Sequence, residues 1–215
     1  MYSRRSLPLI LIGGGGHARV LLAILLEQGK RVLGYTEKTT EKRLPIWSVP
    51  CLGEDDILHE YSPDTIHLVN AVGSTGAPSI RRTLFERYSS QGYAFPPVIS
   101  KCSHLSRRVI LSHGVQIMEG ATVQCGVFLG ENSIVNSGAV VDHDCRIASH
   151  VHIAPGAVLS GGVHVGEGAH IGTAASVIQG ISVGANALVA AGAVVVSDVA
   201  DGAVVMGIPA RRKEK

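Results

Sequence analysis

One histidine of the chain is flanked by carboxylates on both sides, because His143 lies between Asp142 and Asp144. A neutral imidazole can take a proton from an attacking nucleophile at pH 7, so His143 is a candidate general base. A carboxylate on the other ring nitrogen would fix the tautomer and raise the basicity of the ring. Asp144 can reach the ring only if a corner interrupts the strand, since adjacent strand residues point apart, and Asp142 is the competing orienter. The plain alternative is an exposed surface histidine.

A run of four glycines is a candidate phosphate-binding loop. Gly13–Gly16 follows the apolar stretch Leu7–Ile12, and His17 and Ala18 open a helical pattern. The run fits the G-x-G-x-x-A form of the dinucleotide fingerprint, with Glu37 about 20 residues further on. Free N–H groups at a helix N-terminus favour phosphate. The N-terminal half is too short for a full dinucleotide site, so the run predicts a bound mononucleotide diphosphate. A glycine turn that only packs helix against strand is the alternative.

The glycine run belongs to a segment, residues 1–98, in which strand and helix patterns alternate. The predicted strands are 7–12, 31–36 and 65–71, and the predicted helices are 18–28, 54–61 and 79–89. This order predicts an α/β domain with a small Rossmann-like parallel sheet and helices on its faces. Pro96 and Pro97 close the domain.

The second segment, residues 99–215, carries a six-residue repeat. From Leu105 to Val195 every sixth residue is Leu, Ile or Val, and the residue four further on is small or branched. An α-helix cannot carry period six with so much Gly and Val. The repeat predicts an all-β parallel β-helix, in which each hexapeptide is a short strand and a corner and three hexapeptides make a coil. The repeated aliphatic side chains should point inward, over a little more than five coils.

Composition excludes several classes of protein. A net charge of +2, from 19 basic and 17 acidic residues, argues against a nucleic-acid partner that is held by phosphate contacts. The four cysteines form no CxxC pair, which favours free thiols in a reducing cytoplasm. The longest apolar stretches fall far short of the ~20 residues of a membrane helix. We therefore expect a cytoplasmic protein with no nucleic-acid or membrane partner.

The residues of the repeat suggest two other chemistries, a metal site and an acyl-enzyme. Four of its histidines could suggest a metal site: His150, His152, His164 and His170. No two histidines are five residues apart, which is the spacing of two zinc ligands in the carbonic anhydrases built on such a repeat, so we predict no metal. Cys145 falls at the inward small position and Cys125 has no evident activating partner, so neither is expected to form an acyl-enzyme.

The repeat resembles the left-handed β-helix of the hexapeptide-repeat acyltransferases, and the left hand is implied by that resemblance alone. Further segments are similar to one subfamily: Ile12–Ala18, Asn70–Gly73, Asn136–Cys145, His152–Gly156 and Gly207–Arg211. This subfamily comprises bacterial sugar acetyltransferases, among them UDP-4-amino-sugar N-acetyltransferases of the bacillosamine pathway, GDP-perosamine N-acetyltransferase and sialic acid O-acetyltransferases.

The resemblance implies acetyl transfer from acetyl-CoA to the amino group of a nucleotide-linked amino sugar, by direct attack. His143 would be the base and Asp144 its partner. His152 would face the acetyl-CoA carbonyl, where a donor stabilises the developing oxyanion. The backbone of three further residues would line the acetyl-CoA channel: Gly161, Thr173 and Ala191. The implied substrate-binding residues are Gly15, Gly16, His17, Glu37, Lys38, Gly73 and Asn136, with Glu37 and Lys38 where the family often has two aspartates.

The unbroken repeat leaves no internal loop to fold over the β-helix, so a cofactor arm on its surface needs a wall from a second chain. We therefore expect a homotrimer with active sites between chains, as the resemblance also implies. The alternatives are an O-acetyltransferase acting on a sialic or related acid, a non-enzymatic nucleotide-binding protein and a metal lyase. The sequence fixes neither the sugar nor the nucleotide. The basic tail Arg211–Lys213 either meets the cofactor phosphates or is solvated.

Overall fold

The computed structural model describes residues 7–39, 45–74 and 79–213. As far as they are described, residues 1–73 and 80–98 form one compact unit, and residues 74–79 and 99–215 form a second. Across these described residues, no helix has the length and apolarity needed to cross a membrane.

The first unit contains a four-stranded sheet in which every pairing is parallel. Its elements in chain order are β1 (Leu9–Ile12), α1 (Gly16–Glu27), β2 (Val32–Thr36), β3 (Cys51–Gly53), a 3-10 helix (Asp55–Glu60), β4 (His67–Asn70) and α2 (Ser79–Ser90). The strand order is β3-β2-β1-β4. Buried side chains of β1, β4 and α2 form the core, including Ile10, Leu68 and Tyr88.

The predicted Rossmann-like architecture of this unit is confirmed. Each predicted strand and helix exists, with ends that differ by at most two residues. A further strand that the sequence patterns do not predict, β3, pairs with β2 at the edge of the sheet. It has three half-buried residues and therefore carries no long apolar run by which a strand is recognised.

The second unit is a parallel β-helix, as predicted. Its strands are two residues long apart from β22: β5 (Val98–Ile99), β6 (His104–Leu105), β7 (Ile110–Leu111), β8 (Gln116–Ile117), β9 (Thr122–Val123), β10 (Phe128–Leu129), β11 (Ile134–Val135), β12 (Val140–Val141), β13 (Arg146–Ile147), β14 (His152–Ile153), β15 (Val158–Leu159), β16 (His164–Val165), β17 (His170–Ile171), β18 (Ser176–Val177), β19 (Ser182–Val183), β20 (Leu188–Val189), β21 (Val194–Val195), β22 (Val204–Met206) and β23 (Arg211–Arg212).

The strands stack into three sheets. The first has eight strands and includes β11, β14, β17 and β20; the second has six and includes β12 and β15; the third has five and includes β13 and β16. Residues 18 apart face each other on successive coils, as Ile153 does Ile171. The repeated aliphatic side chains are buried from Ile117 onward, together with the small residues between them. The core is therefore the one that the six-residue period predicted.

The corners explain the abundance of glycine. Every sixth residue from 114 to 192 has a positive φ, a conformation that glycine adopts without a steric penalty. Glycine occupies most of these positions. Five of them carry another residue: Asn132, Asp144, His150, Ala174 and Asn186.

The β-helix extends beyond the predicted repeat at both ends. Ile99 lies six residues before Leu105, so β5 continues the register on the N-terminal side. At the other end the register breaks, because Leu188 pairs with Val204, 16 residues on rather than 18. A coil shortened in this way escapes a search for an unbroken six-residue period.

The two residues of β15 offer a test of which side chains of the β-helix point into its core. Leu159 is fully buried, whereas Val158 on the same strand is 38% exposed. Replacing Leu159 by Ala should lower the free energy of unfolding by roughly 2–5 kcal/mol, because it leaves a cavity in the core. Val158→Ala, the matched control, should change it by about 0.5 kcal/mol or less. Urea denaturation at one protein concentration measures both, and equal losses would contradict the inward register.

Candidate active site

His143 and Asp144 meet at an exposed corner of the β-helix, between β12 and β13. The Nδ1 atom of His143 lies 2.9 Å from Oδ2 of Asp144. A carboxylate can only accept, so Nδ1 carries the proton and donates it. This leaves Nε2 with its lone pair, which is the state that a general base requires. Both side chains are more than half exposed.

The backbone of this corner decides which aspartate reaches the ring. Asp144 has a φ of +59°, and this left-handed turn brings its side chain to the same side as that of His143. Asp142 lies on the strand side of the corner, and its Oδ1 instead accepts a hydrogen bond from the backbone N–H of His143 at 2.8 Å. Of the two candidate orienters, Asp144 is thus the one that contacts the imidazole.

Two glycines make room for the pair. A Cβ atom at Gly126, one coil before Asp144, would lie against Oδ1 of that carboxylate. A Cβ atom at Gly161, one coil after His143, would lie 2.6 Å from Nε2 and Cε1 of the ring. Any side chain at Gly161 would therefore displace the imidazole. Gly161 was predicted to bind the cofactor. In the structure it lies directly beside the ring of the predicted base.

The surrounding carboxylates favour the protonated ring. The hydrogen bond to Asp144, with the negative charge of Asp142, raises the pKa of His143 above its usual value. A higher pKa makes the neutral imidazole a stronger base, at the expense of a smaller neutral fraction at pH 7. The corner can therefore accept a proton from a nucleophile and hold the resulting imidazolium beside Asp144.

Three of the predicted cofactor-binding residues line one cavity of about 420 Å³ on the β-helix: His152, Thr173 and Ala191. His170 and the backbone of Ser74 also line it. The ring of His170 stands edge-on to that of His152, with centroids 4.9 Å apart, as expected for residues on successive coils. Burial lowers the pKa of His170, so this ring is neutral at pH 7.

The tautomer of His152 is fixed by its two partners. Nδ1 lies 2.8 Å from the carbonyl oxygen of Ser74, which can only accept, so Nδ1 donates. Nε2 therefore accepts from Nδ2 of Asn136, at 3.0 Å. The Oδ1 atom of Asn136 is engaged by the N–H of Ser137, which agrees with this orientation of the amide. His152 is thus neutral, and its N–H points to Ser74.

The β-helix carries these residues on two different rows of corners. His143 and Gly161 lie at corners that join the six-stranded sheet to the five-stranded one. Asn136, Thr173 and Ala191 lie at corners that join the eight-stranded sheet to the six-stranded one. Of the three residues predicted to line the acetyl-CoA channel, Gly161 therefore lies beside the predicted base, and only Thr173 and Ala191 share a row of corners.

The remaining predicted binding residues come together in the first unit. One cavity of about 460 Å³ is lined by Gly15, Gly16, His17, Glu37, Lys38 and Gly73. Helix α1 begins at its edge without a side-chain cap and with no acidic residue in its first turn. Its first N–H groups therefore have no partner within the helix and favour an anion. Asn136, predicted with this group, lies in the β-helix instead.

Two buried polar pairs are not predicted by the sequence patterns. Thr36 donates a hydrogen bond to Oδ1 of Asp55 at 2.6 Å, and both residues line the cavity of the first unit. In the β-helix, the amide of Asn132 contacts Nδ1 of His150 at 3.0 Å. The signal for the second pair was present, since both residues occupy the corner position that elsewhere carries glycine. Nothing in the periodicity marks the first.

Among the described residues, no group of three or more His, Cys, Asp or Glu side chains is placed to hold a metal ion. Cys145 is buried, its thiol contacts the carbonyl oxygen of Ser160 at 3.2 Å, and burial raises the pKa of the thiol. This is the core position that the repeat predicted for Cys145.

Two family models match the chain. Residues 8–88 match the PglD N-terminal domain, and residues 126–161 match the bacterial transferase hexapeptide with six repeats. No curated protein sequence matches the chain.

Solved structures match over nearly the whole length. The acetyltransferase domain of PglB from Neisseria gonorrhoeae FA1090, in complex with acetyl coenzyme A, is 34% identical with a TM-score of 0.89, over 97% of this chain and 100% of that one. PerB from Caulobacter crescentus, in complex with CoA and GDP-perosamine, is 34% identical with a TM-score of 0.87, over 96% and 97%. WeeI from Acinetobacter baumannii AYE, at 22% identity and a TM-score of 0.86 over 97% and 100%, shares the fold.

The fold, the two domains and these matches define the class of protein: the chain belongs to the hexapeptide-repeat sugar acetyltransferases, as its motifs predicted. It is an acetyl-CoA-dependent acetyltransferase.

Removing the charge of Asp144 should lower the pKa of His143. Asp144→Asn deletes the carboxylate that accepts the Nδ1–H, and Asp142→Asn deletes only a neighbouring charge, so we expect a larger fall for the first variant. NMR titration of the His143 ring measures both. The wild-type value should lie above 6.5, and an unchanged pKa in Asp144→Asn would contradict the contact.

Proposed function

We propose that the enzyme transfers the acetyl group of acetyl-CoA to the amino group of a nucleotide-linked amino sugar. His143 acts as the general base, Asp144 orients it, and the amine attacks the thioester directly. An amine arrives at pH 7 mostly protonated and must lose a proton to attack, which is the task of the neutral imidazole. Acetyl-CoA supplies the activated acyl carbon and a thiol leaving group.

The exposed pair of His143 and Asp144 carries this proposal. The imidazole has one nitrogen held by a carboxylate and the other free to take a proton, on a corner that solvent and substrate can reach. The glycine at position 161 keeps the next coil clear of Nε2. An exposed surface histidine would need neither the left-handed turn at Asp144 nor the two flanking glycines.

The cavity of the first unit supports a nucleotide as the carrier of the sugar. Its glycine loop leaves the N–H groups at the start of α1 without a side-chain cap, which suits a diphosphate. A Cβ atom at Gly15 or Gly16 would meet nothing within 4 Å, so the space before them is open to a ligand. Glu37, at the end of β2, occupies the position from which a carboxylate binds ribose hydroxyls in related folds. PerB, at 34% identity, was solved with GDP-perosamine.

The cavity of the β-helix supports the binding of the cofactor arm. Thr173 and Ala191 are small residues at corners one coil apart, and a narrow pantetheine chain fits along such a row. His152 lines this cavity, but its Nδ1–H is donated to Ser74 and its Nε2 accepts from Asn136, so the ring has no N–H left for the acetyl carbonyl that it was expected to face. The role of the cavity is to bind and orient the thioester.

The two rows of corners support a site shared between chains. On one chain, His143 and the row of Thr173 and Ala191 lie at different corners of the β-helix. A trimer would bring the base of one chain to the channel of the next, since three copies around a threefold axis make heterologous contacts that close. We therefore propose a homotrimer with three equivalent sites.

Replacing His143 by Ala should lower kcat by roughly 10²–10⁴-fold, the usual contribution of a general base, with little change in the KM for acetyl-CoA. The assay follows release of the CoA thiol with UDP-, GDP- and CMP-linked amino sugars. His104→Ala, which removes an exposed histidine from β6, is the matched control and should keep wild-type turnover. Near-normal kcat in His143→Ala would remove this residue from the mechanism.

Mixed trimers test the shared site. Chains with His143→Ala lack the base, and chains with Ala191→Trp have a blocked channel, so each homotrimer should be inactive. Co-assembled trimers, purified through two different tags, should regain part of the wild-type activity, because some interfaces pair an intact base with an intact channel. No recovery in verified mixed trimers would place both groups on one chain.

A further inference from the structure

A buried arginine lies behind the wall of the nucleotide cavity. Arg81, near the start of α2, is 2% exposed. Its Nη1 atom donates hydrogen bonds to the carbonyl oxygens of Asn70 at 2.7 Å and Val72 at 2.8 Å. In return, Nδ2 of Asn70 donates to the carbonyl oxygen of Arg81 at 2.8 Å. These contacts fasten the start of α2 to the end of β4 and to the segment that follows it.

The guanidinium keeps its charge in this position. Burial lowers the pKa of Arg81 to about 9, so the group is still cationic at neutral pH. Burying a cation is costly, and an apolar side chain would fill the same space without that cost. The guanidinium of Arg81 nevertheless occupies this position, behind the part of the cavity wall formed by Ala71, Val72 and Gly73.

The carbonyl of Val72 determines where the next N–H points. In a trans peptide the C=O and N–H groups point in opposite directions, and the bond between Val72 and Gly73 is trans. Because the Val72 carbonyl points to Arg81, the N–H of Gly73 points away from it. No described residue accepts a hydrogen bond from that N–H, and Gly73 is exposed at the cavity. A carbonyl bonded to a cation also polarises its peptide and strengthens this donor.

Gly73 faces the start of α1. A Cβ atom at Gly73 would lie 3.5 Å from Cβ of His17, in ordinary contact with the first turn of the helix. The donor on Gly73 and the first N–H groups of α1 therefore border the same part of the cavity. A diphosphate offers two adjacent anionic groups, which can accept from both sides at once.

We propose that Arg81 is a positioning residue, which holds the 71–73 segment so that the N–H of Gly73 donates to the diphosphate of the nucleotide-linked sugar. This inference rests on the proposed function of the cavity. Arg81 itself does not touch the ligand. Both bonds come from Nη1, which lies one bond further from the backbone than the ammonium of a lysine, so a lysine at this position is too short to reach both carbonyls.

Binding of plain nucleotides to the full-length protein tests the proposal. Isothermal titration calorimetry gives the dissociation constants of UDP and UMP, and of GDP and GMP. The ratio of the monophosphate dissociation constant to the diphosphate dissociation constant measures the contribution of the second phosphate to binding. Arg81→Lys should reduce this ratio by roughly 10- to 100-fold, the factor expected for loss of one hydrogen bond to a charged group. Arg82→Lys, on the exposed neighbour paired with Glu86, is the matched control and should keep the ratio.

A second pair of variants addresses the donor itself, and can overturn the proposal even if Arg81→Lys does not fold, because the positioning role requires this donor. Gly73→Pro removes the N–H, whereas Gly73→Ala keeps it and adds a methyl group in ordinary contact with His17. The proline variant should lose far more of the preference for the diphosphate than the alanine variant. In turnover, Arg81→Lys should raise the KM for the nucleotide sugar, with the KM for acetyl-CoA and kcat unchanged, which a general loss of structure would not do.

The outcomes separate this proposal from the function on which it rests. A wild-type protein that binds no nucleotide, or binds diphosphate no better than monophosphate, would overturn the proposed function of the cavity and this inference with it. A wild-type preference that Arg81→Lys retains would overturn the positioning role alone. Equal affinities in Gly73→Pro and Gly73→Ala would overturn the assignment of the donor.

Discussion

The hydrogen bonds between successive coils decide where each functional side chain of the β-helix lies. Residues 18 apart are held one strand spacing from each other, and the corners repeat with the strands. The carbonyl of His143 accepts from Gly162 at 2.9 Å, and the N–H of Asp144 donates to the carbonyl of Cys125 at 3.0 Å. The backbone of the candidate base is thus fixed from the coil before and the coil after. Loops of ordinary length rarely hold a side chain so firmly.

In the N-terminal unit, the backbone that lines the cavity is also held in place, but by strand ends and buried side chains instead of stacked coils. Its cavity lies where parallel strands end and α1 begins, a place where backbone donors converge whatever side chains are present. Buried polar groups then set the details: Thr36 with Asp55 on one side, and Arg81 with the carbonyls after β4 on the other. Recognition here depends on how the backbone is held from behind, so residues that never meet the ligand matter as much as those that do.

The sequence predicts the fold and most of the candidate site residues, but not the contacts that depend on backbone conformation or on residues far apart in the chain. The six-residue period predicted the core and the placement of Cys145, because burial at a fixed interval leaves a compositional trace. The contact of Asp144 with His143 depends on the left-handed backbone conformation of Asp144. The sequence indicates this conformation only indirectly, through the glycines at the same corner position one coil before and one coil after, Gly126 and Gly162. The bond between His152 and Ser74 joins residues 78 positions apart, and no local pattern encodes it. Charge and helix signals likewise say nothing of the partners of Arg81.

The left-handed turn at Asp144 also bears on how this enzyme can change over generations. Aspartate, asparagine and glycine are the residues that tolerate such a backbone, and glycine fills the same position in most coils. One nucleotide change converts an aspartate codon into a codon for either of the other two. The carboxylate beside the imidazole can therefore be lost by a single mutation that the fold does not resist. Selection on folding does not protect this group, so its persistence in a lineage depends on selection for catalysis alone.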